Sequence, residues 1–270
     1  MSELPVPIEQ LVEVAELAAR TACEVATSRL TAKRDVNFKG YRDIVTDADI
    51  AAQASIAATI RNHFPDHGFL TEEDDLTLPT TGPVIWIIDP VDGTTNYSRQ
   101  LPVFCTSIAA AIQSPDGVPQ LVAAAIYDPL RDEMFSSGKG LGSRLNDRPI
   151  QVSAISSLAD AAFGIDFGNS DEVRHSTFEA ARQLANEVNT VRAFGSAALG
   201  LAWVAAGRLD IYYNAALKPW DIAAGQLIIE EAGGRLSIPG SASWKMDTHD
   251  YPVLSSNNSL HETLLVTFQP

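Results

Sequence analysis

Cysteine is nearly absent from this chain. Two occur in 270 residues, Cys23 and Cys105, so a disulfide framework is excluded and no cysteine pair can bind a metal. Cys105 lies in an apolar run and reads as a core residue. Histidine is scarce as well, and the five present form no zinc motif. His63 and His67 are four apart, but Pro65 between them breaks the helical face that would align them. Long apolar runs are missing too. The longest, such as Val84 to Ile88, are far too short to span a bilayer, so no membrane contact is expected. The opening MSELPVPIEQ has neither the basic start nor the apolar core of a signal peptide, and a soluble, cytoplasmic protein is expected. Positive charge is in short supply. Nineteen Lys and Arg face 34 Asp and Glu, a net charge of -15. Such a chain repels a phosphate backbone, so no nucleic-acid partner is expected. Over most of the surface the charge serves solubility. A small phosphate substrate would need local cancellation by bound cations, each divalent ion offsetting two carboxylates.

What is present is enough apolar material, 46% of residues, for a sizeable core in one large domain or two tightly joined ones. No repeat, low-complexity segment or linker interrupts it. A soft boundary falls near residue 150, dividing an N-terminal α+β part (1–150) from a C-terminal α/β part (151–270). Apolar residues at helical spacing over 8–30 (Leu11, Val14, Leu17, Ala18, Ala22, Val25) predict an amphipathic helix. A second helix is expected from Asp47 to His63, capped by Thr46. Val84 to Ile88 reads as a buried strand stopping at Asp89-Pro90. Phe104 to Ile112 and Leu121 to Tyr127 continue an antiparallel meander across the turn signal Asp116-Gly117. Met134-Phe135 and Leu145 to Val152 add short strands. Further on, strands are expected at 161–165, 209–213, 236–238 and 253–255. Helices are expected at 173–186, 196–206 and 221–232, the last stopped by Gly233-Gly234, and again from about Ser259.

The segment richest in chemistry is Trp86-Ile87-Ile88-Asp89-Pro90-Val91-Asp92-Gly93-Thr94-Thr95-Asn96. A strand delivers Asp89, Pro90 stiffens the turn, and Asp92 follows so that both carboxylates can converge. Gly93 admits close approach of a ligand to the backbone. The amides of Gly93 and Thr94 at a helix start make an anion site. Hard oxygen ligands beside a phosphate cradle are what Mg²⁺ requires. A capped turn would use the same residue types. Three other acidic segments stand apart in the chain: Glu72 within Thr71-Glu72-Glu73-Asp74-Asp75, Asp49 in the first turn of the second helix, and Asp221 in Pro219-Trp220-Asp221. Alone, each has a bland alternative, respectively a solvated charge run, a helix-dipole partner and an N-cap. An EF-hand is excluded, because the acids come from distant segments rather than one loop.

Taken in order, these segments resemble the inositol monophosphatase family over almost the whole chain. D-x-V-T-x-x-D stands as Asp43 to Asp49. D-P-[IV]-D-G-T-x-N stands as Asp89 to Asn96. W-D-x-A-A-G stands as Trp220 to Gly225, and the G-[ST]-A-A segment as Gly195 to Ala198. The resemblance implies a mixed α+β fold, the layered αβαβα sandwich of the inositol monophosphatase and fructose-1,6-bisphosphatase type, a homodimer, and two or three Mg²⁺ ions. It implies Glu72, Asp89 and the Val91 carbonyl on a first ion, and Asp89, Asp92 and Asp221 on a second. Glu72 would also touch a weakly held third. Thr94, hydrogen-bonded to Asp49, would orient the attacking water, so Asp49, Thr94 and Glu72 carry the catalytic roles. Gly93, Thr94, Gly195, Ser196, Ala197 and Asn214 would meet the substrate, and Lys39 would stand near the site.

The chemistry implied is hydrolysis of a small phosphate monoester, inositol 1-phosphate first, by metal-activated water without a phospho-enzyme, with lithium sensitivity. Fructose-1,6-bisphosphatase, histidinol-phosphatase and nucleotide 3'-phosphatase activities are the alternatives. A non-catalytic binding protein would be signalled by a lost metal ligand, and none is lost. Two positions depart from the pattern. Thr71 stands where the family often has Gly, and Asn214 replaces a glutamate that accepts substrate hydroxyls, which leaves inositol preference open. Lys218 would suit a substrate with an extra anionic group. Asp92→Asn is expected to abolish activity with little loss of folding.

Overall fold

The computed structural model describes residues 6–31, 36–115 and 117–268. Asp116 of the expected turn lies outside the described residues, as do the first five residues of the N-terminal segment.

Helix α1 (Ile8–Ser28) buries Leu11, Val14, Ala15, Ala18 and Ala22, one stripe at helical spacing. A hairpin follows, the exposed β1 (Val36–Gly40) and the half-buried β2 (Asp43–Thr46). Helix α2 (Asp47–His63) begins where expected. The Thr46 hydroxyl accepts from the Ala48 amide at 3.2 Å, and the Thr46 amide donates to Asp49 Oδ2 at 2.8 Å, a capping box. The chain continues through β3 (Gly68–Thr71), β4 (Ile85–Asp92), the short α3 (Thr94–Ser98), β5 (Cys105–Gln113), β6 (Pro119–Asp128), β7 (Glu133–Gly138), β8 (Gly142–Leu145) and β9 (Arg148–Pro149). Then come β10 (Ala162–Ile165), α4 (Asp171–Leu184), β11 (Thr190–Ala193), α5 (Ala197–Ala205), β12 (Ile211–Leu217), α6 (Pro219–Glu231), β13 (Arg235–Ser237), β14 (Tyr251–Ser256) and α7 (His261–Thr267).

Strands β3 to β9 form a seven-stranded sheet in chain order, antiparallel except for the parallel pair β3–β4. A mixed five-stranded sheet runs β11-β10-β12-β14-β13. Period-two alternation assigns each strand's side chains to two faces. Trp86, Ile88, Ile108 and Ala110 turn to one side and pack with α1 and α2. Ile87, Ala109, Ala124 and Ile126 turn to the other and pack with α5 and α6. Those helices also meet Tyr212 and Val253 of the second sheet. Its opposite face, with Phe163, Ile211, Tyr213 and Leu254, packs against residues of α4 and α7. The order is therefore αβαβα, as the resemblance implied.

The middle layer is crowded. A Cβ added to Gly225 of α6 would lie 2.5 Å from Leu201 of α5, and one added to Gly200 would enter the Tyr212 ring. Three expectations need correction. Strand β4 does not stop at Asp89-Pro90 but reaches Asp92. The strand expected over 145–152 is two strands, β8 and β9, divided at Asn146-Asp147, both of which adopt positive φ. The strand expected over 209–213 is β12, which begins at Ile211 and runs past Tyr213 to Leu217, so Asn214 lies within it.

Candidate active site

The spacing of Asp89 and Asp92 poses a geometric problem. Three residues apart in a regular strand, they would point to opposite faces. In the β4–β5 ladder Asp89 faces Ser107 and Asp92 faces Cys105, so Pro90 and Val91 together oppose Thr106 alone. That extra residue is a bulge, and it re-aims the strand end. Pro90 has no amide to waste there, and its carbonyl accepts from Thr106 Oγ1 at 2.8 Å. With the parity reset, carboxylate oxygens of Asp89, Asp92 and Asp221 lie within 4.8 Å of one another. Asp221 arrives from the first turn of α6, where its Oδ2 accepts the Lys218 amide at 2.8 Å. Its capping role and its place in the cluster coexist. Glu72 follows β3 directly, its amide bonded to Ile88 O at 3.1 Å, and it lines the same cleft as Asp89.

The electrostatics are those of a site that needs a cation. Burial, and then the charges of Glu72, Asp92 and Asp221, push Asp89 well above the usual carboxylate range. Asp221 is likewise pushed well above it by burial and by Asp92 and Glu72. Burial raises Asp92 to about 6 despite hydrogen bonds from Ser196 and Ala198, and burial raises Glu72 despite Lys39. Lys39 Nζ bonds Glu72 Oε1 at 2.7 Å and Glu73 Oε1 at 2.8 Å. One ammonium beside four clustered carboxylates leaves the group strongly under-compensated.

These residues border a cleft of about 900 Å³. Every expected site residue lines it except Asp49, namely Lys39, Glu72, Asp89, Val91, Asp92, Gly93, Thr94, Gly195, Ser196, Ala197, Asn214 and Asp221. Asp49 is fully buried behind Thr94, whose Oγ1 lies 2.9 Å from Asp49 Oδ1 and 3.0 Å from Val91 O. Gly93 caps α3 at φ 90°, a conformation that favours glycine. The N-termini of α2, α5 and α6 are all represented around the site, by Asp49, Ser196 and Asp221, and their partial positive charge favours the gathered carboxylates.

The 195–197 segment serves differently from what its sequence suggests. Its donors engage protein carboxylates. Ser196 Oγ donates to Asp92 Oδ2, the amides of Ala197 and Ala198 donate to Asp92 at 3.2 and 3.0 Å, and Cys105 Sγ lies 3.5 Å from Asp92 Oδ2. The Gly195 amide donates to Asp166 Oδ1 at 2.5 Å. Asn214 is buried, and its Oδ1 accepts the Ala216 amide at 3.0 Å. Sequence reasoning missed Asp166, Arg42 and Arg174, all on the cleft wall. Asp166 had a readable signal, for it follows a short apolar run in the sequence as Asp89 does. Lys218, also on the wall, is held by Asp250 at 3.0 Å and by Thr248 O at 2.6 Å.

Known proteins share this arrangement of chain. Residues 8–269 match the inositol monophosphatase family. Inositol monophosphatase 1 of Solanum lycopersicum is 34% identical over 97% of this chain and 96% of its own length. Nus factor SuhB of Escherichia coli K12 is 40% identical over 75% of this chain and 74% of its own. The crystal structure of extragenic suppressor protein suhB from Bartonella henselae superposes with a TM-score of 0.87 at 31% identity, covering 96% of this chain and 98% of that one.

Proposed function

Because this chain belongs to the inositol monophosphatase family and is thereby a phosphoric monoester hydrolase acting on a phosphorylated small molecule, we propose that it hydrolyses inositol 1-phosphate with Mg²⁺ as its metal. The observation that carries this reading is the meeting of Asp89, Asp92 and Asp221 within 4.8 Å, with Glu72 beside them, at the floor of a cleft.

The donor set fits magnesium. It is all oxygen, held on stiff strand and helix ends, and short of positive charge. Glu72, Asp89 and the Val91 carbonyl would hold one ion, and Asp89, Asp92 and Asp221 a second, with Glu72 beside a third. Bound ions supply Lewis acidity, neutralising phosphate oxygens and lowering the pKa of a coordinated water.

The chain's own groups do the rest. Thr94 has one hydroxyl proton and two acceptors in reach. Asp49, whose pKa burial raises against the hydrogen bonds from Thr46 and Thr94, takes it in its ionised form by charge-assisted preference, which leaves the Val91 carbonyl free for a cation and the Thr94 oxygen lone pairs free to orient a water. Asp49 is itself fixed by the Thr46 amide and hydroxyl. The Gly93 and Thr94 amides at the start of α3 face the incoming phosphate. Asn214, neutral and buried on the cleft wall, offers a polar contact to a substrate hydroxyl. Lys39 offsets Glu72 and Glu73 at the rim. No protein nucleophile is required, so no phospho-enzyme forms, and lithium inhibits by competing at a weakly held metal position.

Among the described residues no helix is long and apolar enough to cross a membrane, and the reading places the protein in the cytoplasm as a homodimer. The test is phosphate release from inositol phosphates, fructose bisphosphate, histidinol phosphate and adenosine 3',5'-bisphosphate, with Mg²⁺ and with chelator. Inositol 1-phosphate turned over fastest, and only with metal, is the expected result. Preference for a bisphosphate would replace the substrate assignment, and hydrolysis in chelator would defeat the mechanism.

A further inference from the structure

Asp166 stands just past the end of β10, between the parallel neighbours β11 and β12. It is 6% exposed and borders the cleft. Its Oδ1 accepts the amides of Phe194 at 2.8 Å and Gly195 at 2.5 Å, and its Oδ2 accepts the Tyr212 hydroxyl at 2.9 Å. Burial raises its carboxyl above the usual range, against the hydrogen bonds from Gly195, Phe194 and Tyr212 that favour the ionised form. A carboxylate offers about four acceptor sites, and three protein donors engage both of its oxygens. The other side of the same turn is clamped by Asn96, whose Nδ2 donates to Phe194 O at 2.7 Å and Gly195 O at 3.2 Å. Gly195 holds φ 73° between the two clamps. The next residues of this turn are the ones that grip Asp92 through Ser196 Oγ and the Ala197 and Ala198 amides.

We propose that Asp166 is a positioning residue: it fixes the 194–196 turn and, through that turn, aims the Asp92 carboxylate at the metal cluster. Two carboxylates share one turn, with Asp166 taking the amides of Phe194 and Gly195 and Asp92 the Ser196 hydroxyl and the two amides that follow. Removing the first clamp lets the second slide. The inference rests on the reading of Asp92 as a metal ligand, and it extends the site to a residue that never touches substrate.

The test is Asp166→Ala beside Asp166→Asn and Tyr212→Phe. Each is read by Mg²⁺ binding in calorimetry without substrate, by the Mg²⁺ dependence of phosphate release, by KM and kcat separately, and by far-UV circular dichroism. Asp166→Ala is expected to keep its secondary structure and to raise the half-saturating Mg²⁺ concentration about tenfold. Its kcat at saturating metal should fall less than that. Asp166→Asn, whose Oδ1 still accepts two amides, should recover to within about threefold of the wild type. An Asp166→Ala protein with unchanged Mg²⁺ affinity overturns the proposal. So does a large kcat loss in Asp166→Asn at unchanged Mg²⁺ affinity, which would put Asp166 in contact with substrate. Should Asp166→Ala fail to fold, Tyr212→Phe decides: a shift of about two- to threefold in the same direction is expected, and no shift overturns it. Wild-type protein that binds no Mg²⁺ would instead bring down the metal reading itself, a distinguishable failure.

Discussion

Asp89→Asn should separate the stability of this fold from its activity, in opposite directions. Asp89 is 2% exposed, and burial and three neighbouring acids disfavour its charge. An asparagine keeps the shape. Its Oδ1 can still accept the Val91 amide, now bonded at 3.0 Å, and its Nδ2 can donate to Glu72. Relief of one uncompensated buried charge is worth about 1–3 kcal/mol. For a chain of this length each kcal/mol moves Tm by roughly 2–4 °C, so the variant in chelator should melt roughly 2–12 °C above the wild type. Magnesium should reverse the ranking. At a hundred times Kd a ligand adds about 2.7 kcal/mol to the native state, raising the wild-type Tm by roughly 5–10 °C, while the variant gains less than about half of that. Its phosphatase activity should fall at least about a hundredfold. Scanning calorimetry of both proteins, with chelator and with saturating Mg²⁺, reads all of this. A variant less stable than wild type in chelator, or a wild type indifferent to Mg²⁺, would refute the reasoning that these carboxylates await a cation.

Asp92→Asn behaves otherwise, and the sequence-based expectation of an intact fold needs revising. All four groups around Asp92 donate, so an amide nitrogen must confront one of them, at about 1–3 kcal/mol in urea midpoint as well as lost activity; equal stability to wild type would contradict the capping of α5. Gly93→Ala forces a Cβ to 3.0 Å from the carbonyls of Gly195 and Val103 at φ 90°, costing about 1–3 kcal/mol, and an unchanged midpoint would show that the turn yields. His261 is fully buried between Ser237 and Ser256 at 2.8 Å each. Burial and the Arg235 charge depress it from 6.5 to about 4. The neutral ring's contribution is complete above about pH 6.5 and is lost as pH falls toward 4, by up to about 1.4 kcal/mol per unit. His261→Gln should flatten that limb in denaturant titrations at pH 7 and pH 5, and an unchanged slope would contradict it.

Much of this was legible in the chain. Helix α2 begins at Asp47 and ends at His63 as its cap and periodicity indicate, because Thr46 and Asp49 are local signals acting within three residues. The cluster of Glu72, Asp89, Asp92 and Asp221 was legible from motif order. The hairpin β1–β2 was missed, since β1 is exposed along its length and β2 is only half-buried before Thr46, so neither strand shows an alternating buried face. Strand β11 was missed because only two of its four residues are even partly buried. The bulge at Pro90-Val91 was unreadable, because it is defined by its pairing with Thr106, a partner outside the motif. The use of the Gly195 turn by Asp92 and Asp166 is likewise a contact across about 100 and 30 residues of chain, beyond any local pattern.

The tight seam between α5 and α6 also constrains how such an enzyme can diversify. Where Gly225 meets Leu201 and Gly200 meets the Tyr212 ring, even one methyl group has no room. A larger residue at either position would have to displace its neighbour, so this layer holds the floor of the cleft as a rigid casting. Room for change lies instead at the outer wall, where Arg42, Arg174 and Lys218 stand on the hairpin, on α4 and at the mouth of α6, and where a side chain can lengthen without disturbing the carboxylate cluster.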